Sequence, residues 1–149
     1  MIYSYEDFEL EQIASQIFEN KHNIYLGKSA VRYHVLILRE PYNLIASRLK
    51  KDYMTVRNKN KTVVDLWISY AQEYLGETQY LKNNKVVIDY NKWFADVNYR
   101  QQLSSQLNFE FSDAGINEVK GYGGGRSFDK LSFQGKGSEM NVLGRWQIC

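Results

Sequence analysis

Cysteine and histidine are scarce in this sequence. Its 149 residues include one cysteine, Cys149, and two histidines, His22 and His34. A single cysteine excludes an internal disulfide and a cysteine-based metal cluster, and it fits a reducing, cytoplasmic compartment. No set of His, Asp and Cys residues has metal-ligand spacing, so we expect no metal ion.

Strong net charge and long hydrophobic runs are also missing. The 19 basic and 17 acidic residues leave a formal charge of +2, which provides no global field for nucleic acid or a membrane surface. No apolar run approaches the roughly 20 residues of a membrane span, and Met1 leads into the polar Ser4–Asp7 instead of a signal-peptide pattern. We therefore expect one soluble domain over residues 1–149, in which any anion binding is local.

The apolar spacing predicts strands that alternate with helices. The predicted strands are Val35–Leu38 and Val86–Ile88, which we expect to be buried. Ser4 and Asp7 resemble a capping signal for the first helix, and residues 20–33 are polar and predict irregular structure. The predicted helices cover residues 6–19, Pro41 to about Lys50, Val63–Leu75 with Gly76 closing it, and a segment capped by Asp96. This alternation predicts an α/β fold with a mainly parallel sheet flanked by helices and a ligand site at the carboxyl ends of the strands.

The most informative segment follows the strand Val35–Leu38 directly and reads Arg39-Glu-Pro-Tyr-Asn-Leu-Ile-Ala-Ser47. Arg39 ends the strand, Pro41 suits the first helical position, and Ser47 lies about a turn and a half into the helix. A guanidinium fork, first-turn amides and a hydroxyl are then neighbours, which predicts a phosphate site. The alternative is an Arg39 that caps the helix or forms an ion pair, with Ser47 bonded back to a helical carbonyl.

Arg-x-Pro with a serine eight residues after the arginine resembles the 3′-phosphate-binding motif of the sulfotransferases, which transfer a sulfuryl group from 3′-phosphoadenosine 5′-phosphosulfate (PAPS). The accompanying segments are similar, in order, to the later two-thirds of bacterial and viral members: Ser4–Asp7, Trp67–Gly76, Val86–Tyr90 with Trp93-Phe94, Gly123–Phe128 and Arg145-Trp146. The resemblance implies a P-loop NTPase-like sulfotransferase fold. It also implies PAPS as co-substrate, held by Arg39 and Ser47, and a small-molecule or carbohydrate acceptor.

The chain departs from the family at the 5′-phosphosulfate loop, which normally lies far upstream of the arginine motif. Only 38 residues precede Arg39, and we find no such loop among them. Gly27-Lys28-Ser29 does not qualify, because His22 stands where a Walker loop needs its first glycine and Lys28 precedes a strand instead of following one. We therefore expect a partial, amino-terminally shortened domain that self-associates through its open sheet edge. A partner chain that supplies the loop is the alternative.

Two further candidate sites have weaker signals. Gly123, Gly124 and Gly125 can bring backbone amides close to a phosphate, with Arg126 as the charge partner, although a surface turn has the same composition. Glu6 occupies the place where the resemblance puts the catalytic base, a His or a carboxylate in the family. The alternative is that it belongs to a helix cap.

A basic stretch follows the arginine motif and contains Arg48, Lys50, Lys51, Arg57, Lys59 and Lys61. It either steers an anionic substrate or forms a solvated loop.

The resemblance thus implies a PAPS-dependent sulfotransferase that acts on a hydroxyl or amine. Two rivals belong to other classes. One is a catalytically inactive interaction module with the same fold, and the other is a nucleotide-dependent phosphotransferase. The second is disfavoured because no complete Walker loop and no magnesium-binding acidic strand end precede a helix.

Overall fold

A computed structural model describes residues 1–50, 52–56, 61–119, 129 and 131–148. Over these residues the chain forms helices and two short strands. The α-helices are α1 (Leu10–Ile13), α2 (Gln16–Leu26), α3 (Pro41–Leu49), α4 (Val63–Leu75), α5 (Tyr90–Ala95) and α6 (Val97–Gln106). The strands are β1 (Val35–Leu38) and β2 (Val86–Asp89), and two 3₁₀-helices cover Gly137–Glu139 and Arg145–Ile148. No helix in these described ranges is both long and apolar enough to cross a membrane.

The chain divides into two compact units, each built from two separate segments. The first unit contains Met1–Leu38 and Met54–Ile88, and the second contains Arg39–Tyr53 and Asp89–Cys149. The chain therefore enters the second unit at Arg39, directly after β1.

The amino-terminal helix of the first unit is interrupted, which differs from the single helix predicted over residues 6–19. Ser15 causes the break: its hydroxyl donates to the Gln12 carbonyl at 2.8 Å and accepts the Phe18 amide at 3.2 Å. One side chain thus ends α1 and begins α2. The prediction of Ser4 and Asp7 as the cap is wrong, since Glu9 is the N-cap of α1. Irregular structure was also wrongly predicted for residues 20–26, which belong to α2.

The sheet of the first unit is small. Strands β1 and β2 lie side by side in parallel. Just before β1, the backbone amide of His34 donates to the Asn83 carbonyl at 2.9 Å, and the backbone carbonyl of His34 accepts the Val86 amide at 2.8 Å. The prediction that β1 is buried on both faces is wrong, because Ile37 is 57% exposed whereas Leu36 is 5% exposed. Only one face of β1 is covered, and α4 packs against the strand.

Helix α4 has the predicted bounds. Thr62 accepts the Asp65 amide at 3.2 Å and Asp65 accepts the Thr62 amide at 2.8 Å, which forms a capping box. Gly76 ends the helix with φ 82°, a left-handed conformation that glycine adopts without steric cost. The core beside this helix consists of Leu10, Leu36 and Leu81, with Tyr70 and Tyr74 packed against them.

The second unit contains α3, α5, α6 and both 3₁₀-helices. Asp96 caps α6 as predicted, since its carboxylate accepts the Asn98 amide at 2.8 Å. Helix α3 packs against the 3₁₀-helix Arg145–Ile148. A buried cluster in this unit consists of Val119, Met140 and Val142, with the aromatic rings of Tyr90, Phe94 and Phe133 and the side chain of Leu143 against it.

Candidate anion-binding site

The predicted strand, arginine and helix occur in the expected order. Strand β1 ends at Leu38, Arg39 follows it, and Pro41 occupies the first turn of α3. Glu40 is the N-cap, and its carboxylate accepts the Tyr42 amide at 2.8 Å and the Asn43 amide at 2.9 Å. We expected these first-turn amides to face a phosphate, but they donate to Glu40 instead. An acidic residue directly before a proline at the helix start was the available signal for this cap.

The Arg39 guanidinium is half-buried in the second unit. Its Nη2 donates to the Val142 carbonyl at 2.6 Å, and its central carbon lies 5.1 Å from the ring centroid of Tyr90. Burial lowers the pKa of Arg39, and the positive charge of Arg145 lowers it as well. Arginine nevertheless stays charged in proteins. The second unit therefore holds a fixed, partly desolvated positive charge at the start of α3.

A second guanidinium lies near the first. Arg145 is 3% exposed, and its Nη2 donates to the Asp129 carboxylate at 2.9 Å. After burial, repulsion by the positive charge of Arg145 is a further cause that lowers the pKa of Arg39. Tyr90 and, to a smaller extent, Glu40 oppose the lowering of the Arg39 pKa. The region thus combines two guanidinium groups with two carboxylates.

Asn43 fastens the carboxyl-terminal segment to α3. Its side chain is fully buried. The Nδ2 atom donates to the Leu143 carbonyl at 2.7 Å, and the Oδ1 atom accepts the Trp146 amide at 3.1 Å. Trp146 also contacts the ring of Tyr42, with the ring centroids 5.9 Å apart. No local sequence pattern predicts these contacts, because the partners are about a hundred residues apart in the chain.

An aromatic stack lies against the Arg39 guanidinium. The Tyr90 ring is stacked with Trp93 and Phe94, at centroid distances of 5.9 Å and 6.5 Å. Cation–π contact with such a ring stabilises a guanidinium by about 0.5–2 kcal/mol. The sequence pointed to the segment that contains Tyr90 but not to this contact.

The remaining predicted site residues have different surroundings. Ser47 is half-buried in α3, about 9 Å along the helix axis from Pro41 at 1.5 Å per residue. Glu6 is exposed in a turn ahead of α1 and belongs to the first unit. The predicted glycine loop, Gly123, Gly124, Gly125 and Arg126, lies outside the described residues. The same holds for Lys51, Arg57 and Lys59 of the basic stretch, whereas Lys61 forms an ion pair with Glu9 at 3.0 Å.

The first unit has a separate polar cleft of about 480 Å³. Its lining includes Lys28, Ser29, Arg32, Asn83 and Asn84. Arg32 is braced there by Glu19, with 2.6 Å between the charged atoms. Strand β1, and not a helix, is the next element after Lys28, so the segment lacks the strand-to-helix geometry of a phosphate loop.

The described part of the chain contains no group of three or more His, Cys, Asp and Glu side chains that could hold a metal ion. The chemistry available at the start of α3 is that of the Arg39 guanidinium. A guanidinium is suited to a phosphate or a related oxyanion. Comparison with family models, curated proteins and solved structures finds no match to this chain.

Proposed function

We propose that this chain provides the 3′-phosphate-binding part of a sulfotransferase that transfers a sulfuryl group from PAPS to a hydroxyl or amine. In this proposal Arg39 binds the 3′-phosphate and Ser47 assists it. The glycine loop with Arg126 adds further contacts to the nucleotide. The finer fold assignment, a P-loop NTPase-like sulfotransferase domain that is incomplete at its amino terminus, belongs to the same proposal.

The observation that supports the proposal is the convergence of separate segments at Arg39. Three of the segments on which the resemblance rests are far apart in sequence: the arginine motif, Val86–Tyr90 with Trp93-Phe94, and Arg145-Trp146. In the second unit Tyr90 lies against the Arg39 guanidinium, Arg145 contributes a second positive charge, and Trp146 is bonded to Asn43 of α3. A shared phosphate-binding site accounts for the presence of all three segments around Arg39.

The residues present are compatible with a phosphate ligand. A guanidinium has five N–H donors in a planar fork, so Arg39 can bind phosphate oxygens and the Val142 carbonyl together. Binding would also relieve the repulsion between Arg39 and Arg145. The Glu40 carboxylate opposes binding by its like charge, which predicts modest affinity.

The reaction itself requires a proton acceptor and charge stabilisation. The acceptor oxygen or nitrogen attacks sulfur, the bond from sulfur to the 5′-phosphate oxygen breaks, and adenosine 3′,5′-bisphosphate leaves. PAPS supplies the sulfuryl group. Glu6 is the proposed base that accepts the proton of the attacking group, and cationic side chains stabilise the leaving phosphate.

One observation favours a second candidate, a catalytically inactive interaction module of the same fold. The helix-start amides donate to Glu40, and Arg39 donates to a backbone carbonyl. Both arrangements also suit a structural brace that has no ligand. Binding measurements separate the two candidates.

Calorimetry with adenosine 3′,5′-bisphosphate tests the proposal. The wild-type chain is expected to bind it, and to bind adenosine 5′-monophosphate more weakly because the 3′-phosphate is absent. Arg39→Ala is expected to lose about 1.5–3 kcal/mol, the scale of a hydrogen bond to a charged group. Arg48→Ala, which removes the same charge from α3, the helix that follows Arg39, is the matched control and should bind as the wild type does. Equal affinities for Arg39→Ala and the wild type would overturn the assignment.

A transfer assay tests the catalytic half of the proposal. Turnover of PAPS with a phenol or sugar acceptor is compared for the wild type and Glu6→Gln, with Glu11→Gln as an exposed control. Loss of turnover only in Glu6→Gln supports the base assignment. Binding of the bisphosphate without turnover in any preparation favours the inactive module.

A further inference from the structure

Asn43 occupies a position that demands both a donor and an acceptor. Its side chain has no exposed surface. The amide nitrogen donates to the Leu143 carbonyl and to the Glu40 carboxylate, and the amide oxygen accepts the Trp146 N–H. A carboxylate at this position would lose the donor and would face Glu40 as a like charge. A leucine would leave a buried carbonyl and a buried amide unsatisfied.

The two backbone groups that Asn43 binds lie on either side of the second arginine. They belong to Leu143 and Trp146, and Arg145 lies between them in the chain. The residue just before Leu143 is Val142, whose carbonyl accepts the Arg39 guanidinium at 2.6 Å. One buried side chain therefore fixes the segment that orients Arg39 and that contains Arg145.

The structure assigns Asn43 the role of a positioning residue. By holding Val142–Trp146 against α3, it keeps the Arg39 and Arg145 guanidinium groups in the arrangement that receives a phosphate. This inference rests on the proposed function, since it names the residue that preorganises the proposed site. Asn43 itself acts through Arg39 and need not touch the ligand.

A structural role alone makes a different prediction from a positioning role. A buried amide whose hydrogen bonds are lost destabilises the fold, whatever the ligand. A positioning residue also lowers affinity for the ligand in protein that remains folded, and its effect disappears when the residue it positions is removed. Double-mutant cycles detect this dependence because coupled neighbours are non-additive.

The experiment measures calorimetric affinity for adenosine 3′,5′-bisphosphate at a temperature where circular dichroism shows every variant folded. The variants are wild type, Asn43→Ala, Arg39→Ala and the double mutant. Ser104→Ala serves as the control, because it removes another buried hydrogen bond of the second unit, from Ser104 to the Gln101 carbonyl at 2.8 Å. Asn43→Ala is expected to weaken binding about tenfold, which corresponds to about 1.4 kcal/mol. In the Arg39→Ala background it should cause no further loss, and Ser104→Ala should bind as wild type.

Three outcomes overturn the inference, and they can be told apart. Wild-type affinity in folded Asn43→Ala, or losses that add independently in the double mutant, reject the positioning role and leave the proposed function intact. Absence of binding by the wild type rejects the proposed function and this inference with it. If Asn43→Ala does not fold, Asn43→Ser replaces it in the same cycle. That variant adds no charge and retains a hydroxyl that can donate and accept, and it should also weaken binding.

Discussion

The Glu73 carboxylate lies 3.0 Å from the Lys85 ammonium, although Glu73 has no exposed surface. Burial raises the pKa of Glu73, but hydrogen bonds from Thr78, Lys85 and the Tyr80 and Leu81 amides outweigh it, so the pKa lies below the ordinary value. The carboxylate therefore ties the loop after α4 and the start of β2 to the helix. Its ionised form is the one that stabilises the fold.

Glu73→Gln is expected to lower the free energy of unfolding by about 1.5–3 kcal/mol at pH 7, because the ionic hydrogen bonds are lost. A group with a lowered folded pKa stabilises the protein above its unfolded pKa of about 4.5 and loses that contribution as the pH falls through the folded value. The difference between wild type and Glu73→Gln should therefore shrink below pH 4.5 in urea titrations. The exposed Glu77→Gln is the control, and a difference that is independent of pH would contradict the argument.

Gly76→Ala is expected to destabilise the protein by about 1 kcal/mol through backbone strain alone. An added Cβ meets no atom within 4 Å, but φ at Gly76 is 82°. Gly115 also has open space and an ordinary φ, so Gly115→Ala should be neutral or slightly stabilising. Thermal unfolding of both variants checks this, and equal shifts would show that the left-handed conformation has no cost here.

Glu40→Gln is expected to tighten binding of adenosine 3′,5′-bisphosphate several-fold while lowering stability. The substitution removes the negative charge of the residue next to Arg39 in the chain. It also removes an anion from the start of α3, which is worth about 0.3–1 kcal/mol. Calorimetry and urea unfolding measure the two effects. Glu110→Gln changes the net charge equally at an exposed position and should alter neither quantity. Weaker binding by Glu40→Gln would mean that the carboxylate belongs to the binding arrangement.

Arg100→Lys is expected to lower the melting temperature more than Asp113→Asn does. Arg100 binds both Asp113 oxygens, at 2.8 and 2.7 Å, and also donates to the Trp93 carbonyl at 2.7 Å. An ammonium cannot reproduce this fork, whereas Arg100 in the asparagine variant keeps its carbonyl contacts. Because the hydrogen bond from Arg100 lowers the pKa of Asp113, the loss of melting temperature in Arg100→Lys should become smaller in acid, where Asp113 is protonated. Identical losses in the two variants would limit the role of Arg100 to the ion pair.

Much of the local structure could be predicted because specific residues mark it. Pro41, Gly76 and Asp96 lie at the helix ends where their chemistry favours them, and α3, α4 and α6 have the predicted positions. The break at Ser15 was missed because the apolar spacing continues across it, so periodicity alone predicted one helix.

Only part of the candidate site could be predicted from the sequence. The position of Arg39 before α3 follows from local sequence, but the residues that surround its guanidinium could not be predicted in this way. Val142 and Tyr90 reach Arg39 through the tertiary fold, and a single sequence without an alignment contains no signal for contacts at that separation. The exposure of Ile37 has a similar origin, since an apolar strand looks the same whether one or both of its faces are covered.

The hydrogen bonds from Arg39 to Val142 and from Trp146 to Asn43 each span 103 residues of the chain. Ribosomes add about 5–20 residues per second, so Trp146 is synthesised roughly 5–20 s after Asn43. During that interval α3 has emerged without the segment that will cover its buried side. The first unit, whose residues end at Ile88, is completely synthesised before Trp146. The contact of Asn43 with Trp146 can therefore form only after Trp146 has been synthesised, and a ribosome that stalls before Trp146 leaves the Asn43 side chain without the amide whose hydrogen bond it accepts.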